Sequence, residues 1–272
     1  GIDMALWDIA GKLWGVPVYR LLGGAVRDSI RVYPSKKAIK IGSSPQPQSG
    51  TPADVQTLVE NVRAARRRVG PDGAVMFDAH SAVPPALLIQ FANSIEPSEL
   101  LFIEEPAVPG NIEVFRRLKR QIRIPLAAGE RDRTIWGVLP YLTEGVLDFL
   151  QPDCGYTGGI SQMKKIAALA EVYTVPLAPH CTQSYLGMTA SFHVTATVPQ
   201  FLIHESYDDE LLGRVVRPHW TKSADGNVSL PEGSGLCVDV DERELARVAA
   251  DPEYRDRWRG PAHAPDGSVT DY

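Results

Sequence analysis

The sequence is poor in cysteine and has no excess of basic residues. Its three cysteines, Cys154, Cys181 and Cys237, are widely spaced and form no CxxC pair. This usage gives no even-numbered disulfide framework and favours a reducing, intracellular and cytoplasmic setting. The formal net charge is -5 at pH 7, so the chain lacks the positive charge that would meet phosphates or an anionic membrane surface. We therefore expect neither nucleic acid nor a membrane as a partner.

Long apolar runs are also missing. No stretch of about 18 consecutive apolar residues occurs, which excludes a predicted membrane span. The first 15 residues have the pattern of an amphipathic helix and carry no basic leader, which does not fit a signal peptide. Hydrophobic residues make up 44% of the 272-residue chain, enough for a sizeable core in one large domain or one domain plus a small one.

Short apolar runs recur along the chain, and each ends in polar residues. Helical patterns, such as the one at residues 160–173, lie between most of them. This alternation predicts an α/β fold with parallel strands joined by crossover helices, and eight runs indicate a (β/α)8-type barrel. The runs are residues 31–35, 38–42, 74–80, 100–106, 124–130, 148–153, 175–180 and 201–206.

The polar residues at the ends of these runs recur at intervals of about one strand–helix unit. In chain order they are Asp78, Glu104, Glu130, Asp153, His180 and Glu205. Corresponding strand ends of a barrel surround one mouth, and barrel enzymes hold their chemistry at the carboxyl-terminal mouth. We therefore expect these side chains to share one site.

Three neighbouring carboxylates, Asp78, Glu104 and Glu130, would repel one another without a counter-charge. A hard divalent cation relieves that repulsion, and Mg²⁺ suits carboxylate oxygens with positions left open for a substrate. A single carboxylate of this kind is more often a cap, but three at equal spacing predict a metal site. His180 is either a structural histidine or a general base that Asp153 orients.

Three further residues have two readings each. His80 follows Asp78 by two residues, so on a strand both would face the same side, and His80 is either a second acid/base group or a loop histidine beside the metal. Glu205 either binds a substrate oxygen or caps its strand. Lys40 either contacts the site or is a barrel-layer or surface lysine. His204 would point away from Glu205, and the other histidines lack a strand-end context.

The segments "FDAH", "FIEEP", "AAGER", "LQPDCGYTGGIS" and "LAPH" together resemble the enolase superfamily, mandelate racemase/muconate lactonizing enzyme subgroup. Within it the chain is most similar to acid-sugar dehydratases of the galactonate dehydratase type. The resemblance runs from "GIDMALWDIAGKLWGVPVYRLLGG" to "DGSVTDY", which is nearly the whole chain. It implies a sugar acid as the substrate and a homo-oligomer as the assembly.

The resemblance also implies a role for each candidate residue. Asp78, Glu104 and Glu130 would bind Mg²⁺, which grips the substrate carboxylate. His180, oriented by Asp153, would remove the proton next to that carboxylate. The resulting enediolate would expel the neighbouring hydroxyl with a proton from His80, while Glu205 holds the enediolate oxygen and Lys40 contacts the substrate. The product would be a 2-keto-3-deoxy sugar acid.

The chain departs from the family pattern in two places. Family members have an α+β capping domain, and here residues 1–30 match only its last helical part. Residues 31–206 would then form the barrel, and 207–272 would return to its base and cap. Residues 31–35 also run almost directly into 38–42, whereas a parallel crossover needs a dozen or more residues. We therefore expect an incomplete barrel in which the first strand is displaced or pairs differently, and a mobile site-facing loop at 42–54.

Two alternatives to a dehydratase stay open at this point. The first is a racemase or epimerase of the same superfamily. Such enzymes usually carry a Lys-x-Lys sequence on the second strand, where this chain has Lys40, Ile41 and Gly42. The second is a truncated, non-catalytic relic that keeps the metal site without a working lid.

Overall fold

The structure of the protein is a computed structural model that describes residues 1–42, 51–96, 99–182 and 184–252, together with 262–263 and 269–270. Within these ranges, no helix combines the length and the apolar character that crossing a bilayer requires. Most of the loop predicted at 42–54 lies outside the described residues.

Short strands follow the predicted apolar runs. Residues 175–180 contribute two isolated bridges at Leu177 instead of a strand. In chain order the strands are β1 (Ser29–Tyr33), β2 (Ala38–Gly42), β3 (Ala74–Asp78), β4 (Phe102–Glu104), β5 (Leu126–Ala128), β6 (Phe149–Leu150), β7 (His204–Glu205), β8 (Val216–Pro218), β9 (Asn227–Ser229), β10 (Val238–Val240), β11 (Ala262–His263) and β12 (Val269–Thr270).

Helices alternate with the strands through the middle of the chain. They are α1 (Ile2–Trp14), α2 (Val18–Leu21), α3 (Pro52–Val69), α4 (Pro85–Asn93), α5 (Ile112–Gln121), α6 (Thr134–Glu144), α7 (Cys154–Thr157), α8 (Ile160–Val172), α9 (Tyr185–Thr195), α10 (Glu210–Val215) and α11 (Glu242–Ala250). The predicted amphipathic helix at the start of the chain is α1.

Strands β2 to β6 form one parallel sheet in sequence order, which confirms the predicted α/β class. Single parallel bridges continue the order from Leu150 to Leu177 and from Leu177 to Phe201, and β7 then pairs with β1 in parallel. In the register, Gly42 stands beside Asp78, and Asp78 beside Glu104. The polar strand ends therefore lie at one level on one edge of the sheet.

The core has two layers because the strands are apolar on both faces. On β3, Val75 and Phe77 belong to the large cluster that includes the helix side chains. Met76, between them in the sequence, packs with Phe102 and Ala127 in a smaller cluster on the opposite face. This alternation places the helices on one side of the sheet and a strand-lined interior on the other.

No helix joins β1 to β2, as the sequence predicts. The link is a tight turn with one antiparallel bridge, Ser35 to Ala38. The edge of β1 away from β7 pairs instead with β9, antiparallel, with Ile30 opposite Val228. Of the two outcomes expected for the first strand, the structure shows the different pairing, and no ladder between β1 and β2 occurs in the described part of the chain.

Two helical glycines provide a matched test of the packing. A Cβ on Gly11 of α1 would lie 2.6 Å from the backbone of Gly235, whereas a Cβ on Gly187 of α9 would meet only the Ser184 hydroxyl, at 3.5 Å. We expect Gly11→Ala to destabilise the protein by about 1–3 kcal/mol through overpacking. Gly187→Ala should be neutral or stabilising, by up to about 1 kcal/mol. Urea unfolding measures both, and a Gly11→Ala variant as stable as the parent would contradict the described contact.

Candidate active site at the carboxyl ends of the parallel strands

A cavity of about 490 Å³ opens at the edge of the sheet where the polar strand ends meet. It collects residues from segments that lie far apart in the sequence, as the strand-end periodicity predicts. Its lining consists of Lys40, Asp78, His80, Glu130, Arg131, Tyr156, His180, Thr182 and Glu205. Glu104 is not part of the lining, because its side chain is fully buried beneath it.

Lys40 is the positively charged side chain at the centre of the acidic cluster. It lies on β2, and its Nζ is 2.8 Å from Glu104 Oε1, 2.8 Å from Glu205 Oε1 and 3.6 Å from Asp78 Oδ2. Its side chain is only 15% exposed. The structure therefore favours the first reading of Lys40, a residue in contact with the site, over a surface lysine.

One lysine does not neutralise all the carboxylates. Burial would raise the pKa of Glu104, but the charge and hydrogen bond of Lys40 outweigh burial and lower that pKa. Burial and the charge of Glu104 raise the pKa of Asp78 to about 7, although Lys40 opposes the rise. Burial also raises the pKa of Glu130 to about 9. The ionised cluster is therefore short of positive charge.

His180 is held by Asp153, as predicted. Its Nδ1 is 2.8 Å from Asp153 Oδ2, and its Nε2 is 3.7 Å from both Glu130 Oε2 and Glu205 Oε2. Burial would lower the pKa of His180, but the Asp153 hydrogen bond and the two glutamate charges raise it to about 9. Nε2 is thus a strongly basic nitrogen that faces the cavity.

The position of Asp153 differs from the sequence interpretation, which placed it at a strand end. Strand β6 stops at Leu150, and Asp153 is the N-cap of α7. Its Oδ1 accepts the backbone N–H groups of Gly155 and Tyr156, which leaves Oδ2 for His180. The cap thereby fixes the carboxylate that orients the imidazole.

His80 reaches the cavity, but not along a strand. Strand β3 ends at Asp78, and His80 has a positive φ of 47°, so the strand argument for a shared face is wrong here. Its backbone N–H donates to Asp78 Oδ1 at 2.8 Å, which turns the chain back toward the site. The ring Nε2 is 3.9 Å from Glu130 Oε1. Burial, and then the charge of Arg131, lower the pKa of His80.

The two polar residues of strand β7 point to opposite sides of the strand, as predicted. Glu205 points into the cavity, where its Oε2 also accepts the backbone N–H of Cys181 at 3.2 Å. His204 is buried on the other side, with Nε2 2.6 Å from the Ser191 hydroxyl. His204 therefore does not belong to the site.

Sequence reasoning missed Glu105 and Arg131. Glu105 follows Glu104, and simple strand alternation would send it to the opposite face, but its φ of 44° redirects the chain. Arg131 donates from Nε to Glu105 Oε1 at 3.0 Å and also hydrogen bonds to Ser81. The signals available in the sequence were the doubled glutamate of "FIEEP" and the arginine of "AAGER".

The donor set fits a hard divalent cation. Glu104 Oε2 is buried and has no hydrogen-bond partner among the described residues. Ligand atoms of His80, Glu105 and Glu130 lie within 4.8 Å of one another. This set shares only Glu130 with the predicted ligands Asp78, Glu104 and Glu130, and the structure does not gather the predicted three within the same distance. Each set includes one glutamate that already pairs with a basic side chain, Glu104 with Lys40 or Glu105 with Arg131.

Comparisons with known proteins agree with this architecture. Residues 28–244 match a family model described as enolase C-terminal domain-like, and residues 1–23 match the mandelate racemase / muconate lactonizing enzyme N-terminal domain. A D-galactonate dehydratase from Ralstonia pickettii is 35% identical over 302 aligned positions, which cover all of this chain and 78% of the relative. That alignment is 30 positions longer than the 272-residue chain. The relative therefore contains segments that this chain lacks.

Two solved structures share the fold. One is a mandelate racemase/muconate lactonizing enzyme-like protein from Roseovarius, with a TM-score of 0.84 and 32% identity over 91% of this chain and 71% of that one. The other is the 3,6-anhydro-D-galactonate cycloisomerase from Zobellia galactanivorans, with a TM-score of 0.81 and 28% identity over 90% and 73%.

The raised pKa values predict how stability depends on pH in chelator-treated protein. Folding raises the pKa of Glu130 from 4.5 to about 9 and that of His180 from 6.5 to about 9, so the folded state keeps protons that the unfolded state releases. Stability should therefore fall between pH 6.5 and 9, by roughly 1 kcal/mol per pH unit for each such proton. Urea unfolding at several pH values in this range tests the prediction. In Glu130→Gln the free energy of unfolding should fall less steeply with pH than in the parent. A stability that rises with pH here would contradict the described cluster.

Proposed function

The chain belongs to the enolase superfamily, in the mandelate racemase and muconate lactonizing enzyme family, and we propose that it dehydrates a sugar acid to a 2-keto-3-deoxy acid. The galactonate dehydratase relatives support a hydro-lyase acting on this class of substrate. The observation that carries the proposal is the placement of two imidazoles beside one carboxylate. His180 Nε2 and His80 Nε2 lie 3.7 and 3.9 Å from the two oxygens of Glu130.

Dehydration next to a carboxylate needs a base for the proton on C2 and an acid for the hydroxyl on C3. In the proposal, His180 accepts the C2 proton on Nε2 while Asp153 holds its Nδ1–H. His180 must be neutral for this step, and positive charge bound at Glu130 would offset the glutamate charge that raises its pKa. The electron pair of the broken C–H bond forms an enediolate, which expels the C3 hydroxyl as water with a proton from His80. The enol product then tautomerises to the 2-keto acid.

Three further roles complete the proposal. Asp78, Glu104 and Glu130 would hold Mg²⁺, and the buried Oε2 of Glu104 would be one of the oxygen donors. When bound, the cation supplies positive charge that stabilises the negative charge developing on the substrate carboxylate. Lys40 and Glu205 bind substrate oxygens, since both line the cavity and their side chains are 2.8 Å apart.

A racemase or epimerase finds less support in the cavity. Gly42 ends β2 directly beside Asp78 and has no side chain to act as a second base on that strand. Lys40, two residues earlier, is tied to Glu104 and Glu205. The short link between β1 and β2, which the non-catalytic alternative invokes together with the lack of a working lid, leaves the cavity residues in place.

The adjacent residues Glu104 and Glu105 provide a matched test of the metal ligands. If Asp78, Glu104 and Glu130 hold Mg²⁺, Glu104→Gln should weaken Mg²⁺ binding at least about tenfold, because a neutral amide replaces a charged ligand. Glu105→Gln should change the affinity much less. Isothermal titration calorimetry measures both. The reverse order would assign the metal to His80, Glu105 and Glu130 instead.

Isotope exchange separates the two histidine roles. With Mg²⁺ and a panel of sugar acids that includes D-galactonate, the parent should form a 2-keto-3-deoxy product. In D₂O, His180→Asn should lose both product formation and exchange of the C2 proton, by roughly 10²–10⁴-fold. His80→Asn should lose product formation but keep the exchange, because its base remains.

The control variant is His219→Asn, since His219 is exposed and bonds to Asp239 outside the cavity. Its rates should equal those of the parent. No product from any sugar acid would contradict the proposed function. Inversion at C2 without loss of water would favour an epimerase.

A further inference from the structure

Two neutral side chains in the lining of the cavity have no role in the proposed chemistry. They are Tyr156 and Thr182, and the rest of the lining consists of acidic, basic and imidazole side chains. In the proposed function those ionisable groups serve the reacting end of the substrate, from C1 to C3. Tyr156 brings an aromatic ring and a hydroxyl to the same cavity, so this part of the wall matches a neutral group with both C–H and O–H bonds.

Tyr156 is held in a fixed position beside the proposed base. Its backbone N–H donates to Asp153 Oδ1 at 3.1 Å, and the other oxygen of that carboxylate holds His180. Its carbonyl accepts a hydrogen bond from Arg133 Nη1 at 3.2 Å. The guanidinium carbon of Arg133 also lies 4.8 Å from the centre of the Tyr156 ring. Arg133 therefore covers one face of the ring, and the other face and the edge are available to the cavity.

We propose that Tyr156, supported by Arg133, binds the carbons of the sugar acid beyond C3 and makes the site selective for longer substrates. This inference rests on the proposed function, which assigns C1 to the metal ligands, C2 to His180 and the C3 hydroxyl to His80. The cavity of about 490 Å³ is larger than a three-carbon acid needs. The remaining carbons therefore meet the neutral part of the wall, where the ring packs against C–H groups and the phenol shares a hydrogen bond with a substrate hydroxyl.

Arg133 is a positioning residue in this proposal, because it lies outside the cavity lining and acts through Tyr156. A planar guanidinium stacks on a ring and donates to a nearby carbonyl at the same time, which an ammonium group does less well. A ring that is already stacked has little freedom left to lose when the substrate binds. We expect Arg133→Ala to weaken the binding of longer acids selectively, as loss of the Tyr156 ring does, with partial recovery in Arg133→Lys.

Isothermal titration calorimetry of the Mg²⁺-loaded protein tests the proposal with D-glycerate and a panel of six-carbon aldonates that includes D-galactonate. Every protein in the series also carries His180→Asn, so that the acids are not consumed. The parent of the series should bind at least one six-carbon acid more tightly than D-glycerate. Tyr156→Ala should weaken that binding about five- to tenfold and leave the affinity for D-glycerate unchanged, because only contacts beyond C3 are lost. Tyr156→Phe should lose part of the same difference.

The control is Tyr173→Ala, since Tyr173 is 38% exposed, close to the 42% of Tyr156, and lies at the end of α8 outside the cavity. Its affinities should equal those of the parent, and D-glycerate binding shows that each variant is folded. A parent with equal affinity for three- and six-carbon acids would overturn the proposal, as would tyrosine variants that keep the selectivity of the parent. Selective binding without product formation by the protein that retains His180 would instead contradict the proposed dehydration and leave Tyr156 as the contact for the longer acids.

Discussion

Crowding of like charge at the ends of the parallel strands is the constraint on which the rest of the site depends. The register sets Asp78 beside Glu104, and the fold brings Glu130 and Glu205 to the same cavity. Lys40 binds two of these carboxylates closely, yet burial still raises the pKa of Asp78 and Glu130. This deficit of positive charge suits the binding of a cation. The nearby negative charges, together with the Asp153 hydrogen bond, also raise the pKa of His180.

Turns after the strands orient the side chains of this crowded site. His80 and Glu105 both have positive φ, a conformation that costs free energy in non-glycine residues and persists where the surroundings enforce it. The hydrogen bond from His80 to Asp78 and the ion pair of Glu105 with Arg131 are those surroundings. The result is an imidazole on each side of Glu130, the arrangement on which the proposed acid and base roles rest.

Much of this could be predicted from the sequence, because buried parallel strands give apolar runs and their polar ends recur with each strand–helix unit. The same reasoning showed that the link between β1 and β2 is too short for a helix. It could not place His80 correctly or find Glu105, since both depend on left-handed backbone conformations that break strand alternation. Nor could it foresee that Lys40 would bridge Glu104 and Glu205, because that contact joins three strands through tertiary packing.

Thermal unfolding of the intact 272-residue chain with and without Mg²⁺ tests the central claim most directly. A ligand stabilises only the state that it binds, so an assembled carboxylate site requires Mg²⁺ to raise the midpoint of a cooperative transition. We predict such a shift, and it should be absent with a monovalent salt at equal ionic strength. A cooperative transition that Mg²⁺ leaves unchanged would contradict the claim that these strand-end carboxylates form a metal site.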